Sequence, residues 1–368
     1  MDVIMIQLEE ENGSDLMNDS YYNDPDGLQC DYTDWEHSSS VVPVLYMLVF
    51  VFGLSGNAVV ICTVWRSRTK RRSADTYIGN LALADLAFVV TLPLWAVYAA
   101  LDYHWPFGWF LCKVSSYLVM INMYASVFCL TCLSFDRYLA IVHSLSSNKL
   151  RSRRTTLLSL AFIWFLAGVL ALPALILRQA HEKENLTTCA MDFSWVASES
   201  TEHFWVAGLS LFASTMGFLL PFILMSTFYC AIANTVTRHF QNVKKEEQKK
   251  KRLLKIITTL VLVFAICWLP FHIIKTADAL IWLDLIYVPC SFDEFLYLAH
   301  PYTTCVAYIN SCLNPFLYAF FDQRFRSQCL CVLRCSRLKK ALHAPITSIS
   351  SSMSNPTKSE APSSATKV

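Results

Sequence analysis

Apolar residues run along the chain in seven long blocks, near 42–65, 77–101, 112–138, 155–177, 204–236, 253–282 and 295–321. Each is long enough to cross a hydrocarbon layer, which takes about 20 helical residues at about 1.5 Å of rise apiece. A transmembrane strand needs only about 10 residues, so the blocks predict helices. One such block could be a buried helix of a soluble core; seven in one chain could not. No internal repeat relates the halves or recurs at a shorter period. The pattern predicts an all-α membrane protein, a seven-transmembrane helix bundle over 42–321. Polar segments flank it at 1–41, 322–340 and 341–368.

Composition agrees. Of 368 residues, 55% are hydrophobic and only 16% charged, against about 25% charged in ordinary soluble domains. A soluble enzyme is excluded on this ground, and a net charge of +2 gives no global basicity for nucleic acid. Neither a Gly-rich phosphate loop nor a hydrolase elbow is present, so the chain is not expected to be an enzyme.

The small net charge hides a segregation. Residues 1–41 hold eleven acids, no Lys or Arg, and no apolar run like a signal-peptide core. Basic residues fill alternate connections: Arg66, Arg68, Lys70, Arg71 and Arg72; then Lys149, Arg151, Arg153 and Arg154; then Arg238, Lys244, Lys245, Lys249, Lys250, Lys251 and Arg252. Arg324, Arg326, Arg334, Arg337, Lys339 and Lys340 follow the last block. The positive-inside rule makes these sides cytoplasmic and the amino terminus external. An odd number of spans then leaves the carboxyl terminus inside. The sequons at Asn12, Asn18 and Asn185 all fall on predicted outer segments, as glycosylation requires. So do Cys30, Cys112, Cys189 and Cys290, which permit three disulfide pairings. Cys329, Cys331 and Cys335, just past the last block, are palmitoylation candidates or plain cytosolic thiols.

Polar residues inside the blocks carry the functional signal, because charge in hydrocarbon is costly. Asp85 lies mid-span. Asn122 and Ser126 are four apart and share a helix face. Asn310, Ser311 and Asn314 cluster in the seventh block. An isolated carboxylate among helices needs polar partners or a cation; a register-setting polar knot with no further role is the plain alternative. Pro93, Pro173, Pro221, Pro270 and Pro315 should each disturb a span.

Several short motifs stand in one order. These are Gly53-Leu-Ser-Gly-Asn57, Asp85, Cys112, Asp136-Arg137-Tyr138, Trp164, Pro221 with Tyr229, Cys267-Trp268-Leu-Pro270 and Asn314-Pro-Phe-Leu-Tyr318. Together they resemble the rhodopsin-like (class A) G protein-coupled receptors across residues 43–326. Cys30-Asp-Tyr-Thr-Asp-Trp35, Trp105-Pro-Phe-Gly108 and Asn310-Ser-Cys-Leu-Asn314 are similar to a peptide-hormone branch related to the angiotensin and chemokine receptors.

The resemblance implies Cys112–Cys189 and Cys30–Cys290 disulfides. It implies an allosteric Na⁺ among Asp85, Asn122, Ser126, Asn310 and Asn314, whose oxygens suit a hard cation, and no other cofactor. It makes Arg137 a signalling switch restrained by Asp136 at rest. Tyr229 and Tyr318 would move inward on activation, and Trp268, with Pro270, would be the toggle beneath the ligand. Lys250 stands where many members carry an acid that latches the arginine, so that latch is absent or rebuilt. The partners implied are an inhibitory-class G protein, receptor kinases and arrestin, at the plasma membrane. Asp322-Gln-Arg-Phe-Arg326 resembles the family's short amphipathic helix on the inner membrane surface.

The acidic outer face should steer a cationic peptide; a generic solvated surface is the plainer reading. The likeness favours Asp31, Asp34 and Asp102, with Trp95 and Tyr103, for the ligand's basic groups. Arg178 and Lys275 are the basic exceptions. They would receive a terminal carboxylate or else snorkel as anchors. Asp278, one turn past Lys275 and where an aromatic is usual, could neutralise it. The tail beyond 345 is Ser/Thr-rich and apolar-poor and is expected to be disordered, with Thr347, Ser348, Ser350, Ser351, Ser352 and Ser354 open to kinases. A chemokine- or angiotensin-like ligand is the alternative within the class. A transporter is the alternative outside it, disfavoured by the odd span count.

Overall fold

The structure, a computed structural model, describes residues 37–66, 72–143, 150–183, 186–239, 244–321, 326–327 and 329–330. The first span is α1 (His37–Arg66). The second is split into α2 (Ser73–Val89) and α3 (Leu92–Ala100). The third, α4 (Gly108–Ile141), is unbroken over 34 residues. The fourth is α5 (Arg153–Leu170) followed by α6 (Leu172–Leu177). Pro93 and Pro173 each stand in the first turn after the break, where a missing N–H costs nothing.

A hairpin follows, β1 (Arg178–Lys183) and β2 (Leu186–Met191), antiparallel with Ala180 opposite Cys189. The fifth span is α7 (Glu202–Ser214), a π turn (Thr215–Leu219) and α8 (Leu220–His239). The wide turn absorbs Pro221, which cannot donate to the helix ladder. Pro270 stays inside α9 (Lys244–Trp282), and Pro301 and Pro315 inside α10 (Cys290–Phe321).

Six of these spans are long and apolar enough to cross a membrane by hydropathy among the described residues. The seventh block is α10, 32 residues long. Its hydropathy is lowered because its inner face carries buried His300, Thr304, Asn310, Ser311 and Asn314. The outer face of the bundle is apolar as well as its core. Phe162, Phe165 and Ile266 stand well exposed on the outer face, where lipid tails rather than water would meet them.

Helix α4 is the central post, packing on α2, α5, α6, α8 and β1, while α9 packs on α10 and α7. One apolar core, including Leu81, Tyr124, Leu130, Phe264 and Trp268, fills the middle. A second, including Val49, Phe88, Leu92, Trp95 and Tyr308, lies under the hairpin side. Helix α1 closes on α2 through Gly53, where an added Cβ would meet Val89 Cγ1 at 2.7 Å. Gly53→Ala is therefore expected to destabilise the bundle by about 1–3 kcal/mol, the usual cost of overpacking. A detergent melting curve checks it; an unchanged midpoint would mean that Val89 rotates away freely.

The sequence did not foretell the hairpin. Its strands are short and mixed in polarity, and tertiary ties hold it. Trp105 N donates to Thr187 O at 2.6 Å, and Thr187 N donates to His104 Nδ1 at 3.1 Å. The helix of the sixth span, α9, also begins at Lys244, ahead of the apolar block that starts near 253.

Candidate functional site

Three polar assemblies lie along the bundle axis. The outermost is a partly open cleft lined by Tyr46, Trp95, Ser116, Met120, Arg178 and Tyr308 among others. The Cys112–Cys189 disulfide ties the hairpin to the head of α4. That tie places Arg178, first residue of β1, over the cleft with no solvent exposure. Its Nη1 donates to the Cys189 carbonyl, but Nε and Nη2 have no hydrogen-bond partner. Trp95 Nε1 and Ser116 Oγ are likewise buried and unpartnered. Burial pushes the Arg178 pKa down to about 10, which leaves it charged at neutral pH. The cleft thus gathers unused donors around a fixed cation, an arrangement complementary to a carboxylate. At the hairpin rim, burial pushes Asp192 up. Hydrogen bonds from Ser194 and the charges of His181 and Lys113 outweigh that and hold it below the usual carboxylate range.

The second assembly is mid-bundle. Asp85 is fully buried; its Oδ1 accepts from Asn122 Nδ2 at 2.9 Å and Ser126 Oγ at 3.3 Å, and its Oδ2 from Asn314 Nδ2 at 3.0 Å. Ser311 Oγ donates to Asn122 Oδ1 at 3.4 Å, and Asn57 Nδ2 to the Ser311 carbonyl at 2.9 Å. Asn310 is buried beside them in sequence, and its Oδ1 has no partner. The donor set is all oxygen and amide, with an orphaned carbonyl oxygen at Asn310. Oxygen ligands of this kind are chemically compatible with a hard cation. Among the described residues no group of three or more His, Cys, Asp or Glu could hold a metal.

The third assembly faces the cytoplasmic end. Asp136 and Arg137 are both buried. Arg137 Nε lies 3.9 Å from Asp136 Oδ2, beyond hydrogen-bond range. Asp136 Oδ1 is occupied instead by Arg151 Nε at 3.2 Å and by the Ser73 hydroxyl. Tyr229 OH and Ser134 Oγ are 3.0 Å apart. Trp268 sits in an aromatic column with Phe264, Phe271 and His272.

These three assemblies are a buried carboxylate knot, an Asp136 carboxylate beside Arg137 and bonded to Arg151, and a disulfide-pinned hairpin over an outer cleft. Residues 56–318 match the model of the 7 transmembrane receptor (rhodopsin family). The chain belongs to this family. Apelin receptor A of Danio rerio is 65% identical over 95% of the chain and 96% of its own length. The apelin receptor of Xenopus tropicalis is 64% identical over 94% and 95%. The type-1 angiotensin II receptor of Bos taurus is 39% identical over 85% and 86%. The protein is a G protein-coupled receptor and a multi-pass protein of the plasma membrane, not an enzyme.

Within the receptor, Arg178 and Trp95 share the cleft. Tyr103 packs its ring on Tyr98 instead, and Asp102 is exposed in a turn with positive φ at both residues. Arg178 is not a snorkelling anchor, because it is sealed from solvent. Lys275 and Asp278 are also buried, one turn apart on α9, near His272 and His300. The restraint of Arg137 by Asp136 is looser than expected, since Arg151 and Ser73 occupy the carboxylate. Ser116, Tyr308, Ser73 and Arg151 were not legible as site residues. Only the fold brings them there, and Arg151 read simply as one more inner charge.

Cys290 is disulfide-bonded; Cys30, expected as its partner, lies outside the described residues. So do Asp31, Asp34, Asn12, Asn18, Asn185, Cys331, Cys335 and the tail sites, and the side chains of Lys250 and Tyr318. Cys329 is partly buried against the main core.

Proposed function

We propose that the receptor answers basic peptide hormones of the apelin type, apelin and apela/Toddler, and passes the signal to an inhibitory-class G protein, with receptor kinases and arrestin ending it. The high identity to apelin receptors supports the ligand class. The observation that carries the reading is the buried Arg178 with two unused donors over the cleft: it would take the peptide's terminal carboxylate, beside Trp95 and Ser116. The acidic mouth, Asp31, Asp34 and Asp102 with Tyr103, would meet the basic residues. Lys275 would contribute positive potential from α9. Cys329, Cys331 and Cys335 would be acylated at the inner membrane surface.

A peptide panel on expressing cells, read as suppression of stimulated cAMP, tests this. Response to apelin-type peptides is expected. Response only to angiotensin- or chemokine-like peptides would replace the ligand class, and solute flux without G protein would favour a transporter.

Na⁺ bound at Asp85, Asn122, Ser126, Asn310 and Asn314 would stabilise the resting bundle, since these residues come from α2, α4 and α10. Replacing NaCl by choline chloride is then expected to raise agonist affinity several-fold. Asp85→Asn should abolish that difference, because a neutral amide cannot hold the cation. An unchanged sodium effect in Asp85→Asn would reject the site.

A further inference from the structure

The cytoplasmic geometry raises the question of what compensates Asp136 once Arg137 leaves it. A buried carboxylate without a partner costs several kcal/mol, so a switch that simply pulled Arg137 away would be opposed by the charge it strands. Here the carboxylate already has a second cation. Arg151 Nε donates to Oδ1 at 3.2 Å, and the Ser73 hydroxyl donates to the same oxygen. Arg137 reaches only Oδ2, at 3.9 Å, and that oxygen accepts no hydrogen bond. Asp136 is therefore bonded to the start of α2 and to the residue preceding the Ser152 cap of α5 more firmly than to its own sequence neighbour.

Arg151 is suited to this place. Its side chain is one-third exposed, 32% against 5% for Asp136, so it carries charge to the carboxylate without full desolvation. Ser152 is extended and caps Thr155 N at 3.2 Å, which fixes where the chain enters α5 and hence where Arg151 starts. Among the described residues, the other charges acting on Arg137 include Arg72 and Asp75, and these are paired with each other at 3.0 Å.

We propose that Arg151 is a positioning residue for the Arg137 switch: it holds the Asp136 carboxylate in place of Arg137 and so lowers the cost of releasing that arginine towards the G protein. It acts through Asp136 and favours the signalling-competent arrangement. The inference rests on the G protein-coupling reading above. Without Arg151, the cation left beside Asp136 among the described residues is Arg137, and Arg137 should be drawn onto it.

The test uses the full receptor in membranes, with two readouts. One is nucleotide exchange on an inhibitory heterotrimer, with and without an apelin-type peptide. The other is the distance between spin labels at the cytoplasmic ends of α4 and α9, which needs neither G protein nor an identified hormone. Arg151→Gln is expected to lower basal and agonist-driven exchange by about 3- to 10-fold, a loss of about 1 kcal/mol. It should also reduce the open fraction seen by the labels. Peptide affinity without G protein should stay within about twofold, which separates the effect from misfolding. Arg151→Lys should retain most activity, and in an Asp136→Asn background Arg151→Gln should change nothing further. A rise in basal exchange, an unchanged open fraction, or an undiminished effect in the Asp136→Asn background would overturn the proposal. If wild-type exchange ignored the peptide while the labels still reported the Arg151 effect, the proposal would stand and the ligand reading would fall.

Discussion

Arg178→Gln is expected to weaken binding of a basic peptide with a free carboxyl terminus by about 30- to 5000-fold, since removing one partner of a buried charge pair costs about 2–5 kcal/mol. The guanidinium is sealed from water, and two of its donors are unused. A ligand carboxylate would therefore find a cation already desolvated and already aimed. Gln keeps an N–H donor but is two atoms shorter and neutral, so the loss reports charge and reach together. The deciding comparison is a peptide amidated at its carboxyl terminus. Arg178→Gln should cost that peptide far less, because the group it would have paired with is gone. Equal losses for acid and amide forms would show that Arg178 supports the hairpin through its bond to the Cys189 carbonyl and does not read the carboxylate.

The second large effect concerns the hairpin itself. Cys112–Cys189 closes a sequence separation of 77 residues, for which a chain-entropy treatment gives about 4.5 kcal/mol of stabilisation. Cys112→Ser should lower the detergent melting midpoint and abolish high-affinity peptide binding together, because β1 carries Arg178 over the cleft and β2 carries the cysteine that anchors it. Mild reduction of surface-displayed wild type should reproduce the binding loss. Retention of binding with a lowered midpoint would mean that the contacts of Thr187 with His104 and Trp105 suffice to seat the hairpin.

Among the intramembrane polar residues, Asp85, Asn122, Ser126 and Asn314 were expected together from the family likeness, with spacing alone placing only Asn122 and Ser126 on one face, and the bundle joins them by direct hydrogen bonds. Asn310 was expected with them, yet it makes no such bond to Asp85, while Ser311 and Asn57 enter the network. Which face of a kinked helix meets its neighbour depends on crossing angles and on how Pro315 tilts the turn, and neither is written in residue spacing. The cytoplasmic switch shows the same limit. Asp136 and Arg137 are adjacent in sequence, and adjacency suggested that they restrain each other. Adjacent residues on a helix point about 100° apart, and the carboxylate finds Arg151 and Ser73 from other elements instead.

The chain alone determined the membrane-spanning class, the number of blocks, their orientation and the identity of the intramembrane polar groups. Hydrocarbon forces these features on composition: a span must be apolar along about 20 residues, and any charge within it is conspicuous. Only the tertiary structure decided which of those groups touch. It buried Arg178 beneath a hairpin with no sequence signature, left its donors unused over a cleft, and gave the Asp136 carboxylate to Arg151. Those outcomes depend on long-range closure, with residues 63 and 77 positions apart brought into contact. Helical periodicity reaches only a turn or two along one element, and the pairings across elements are set by packing.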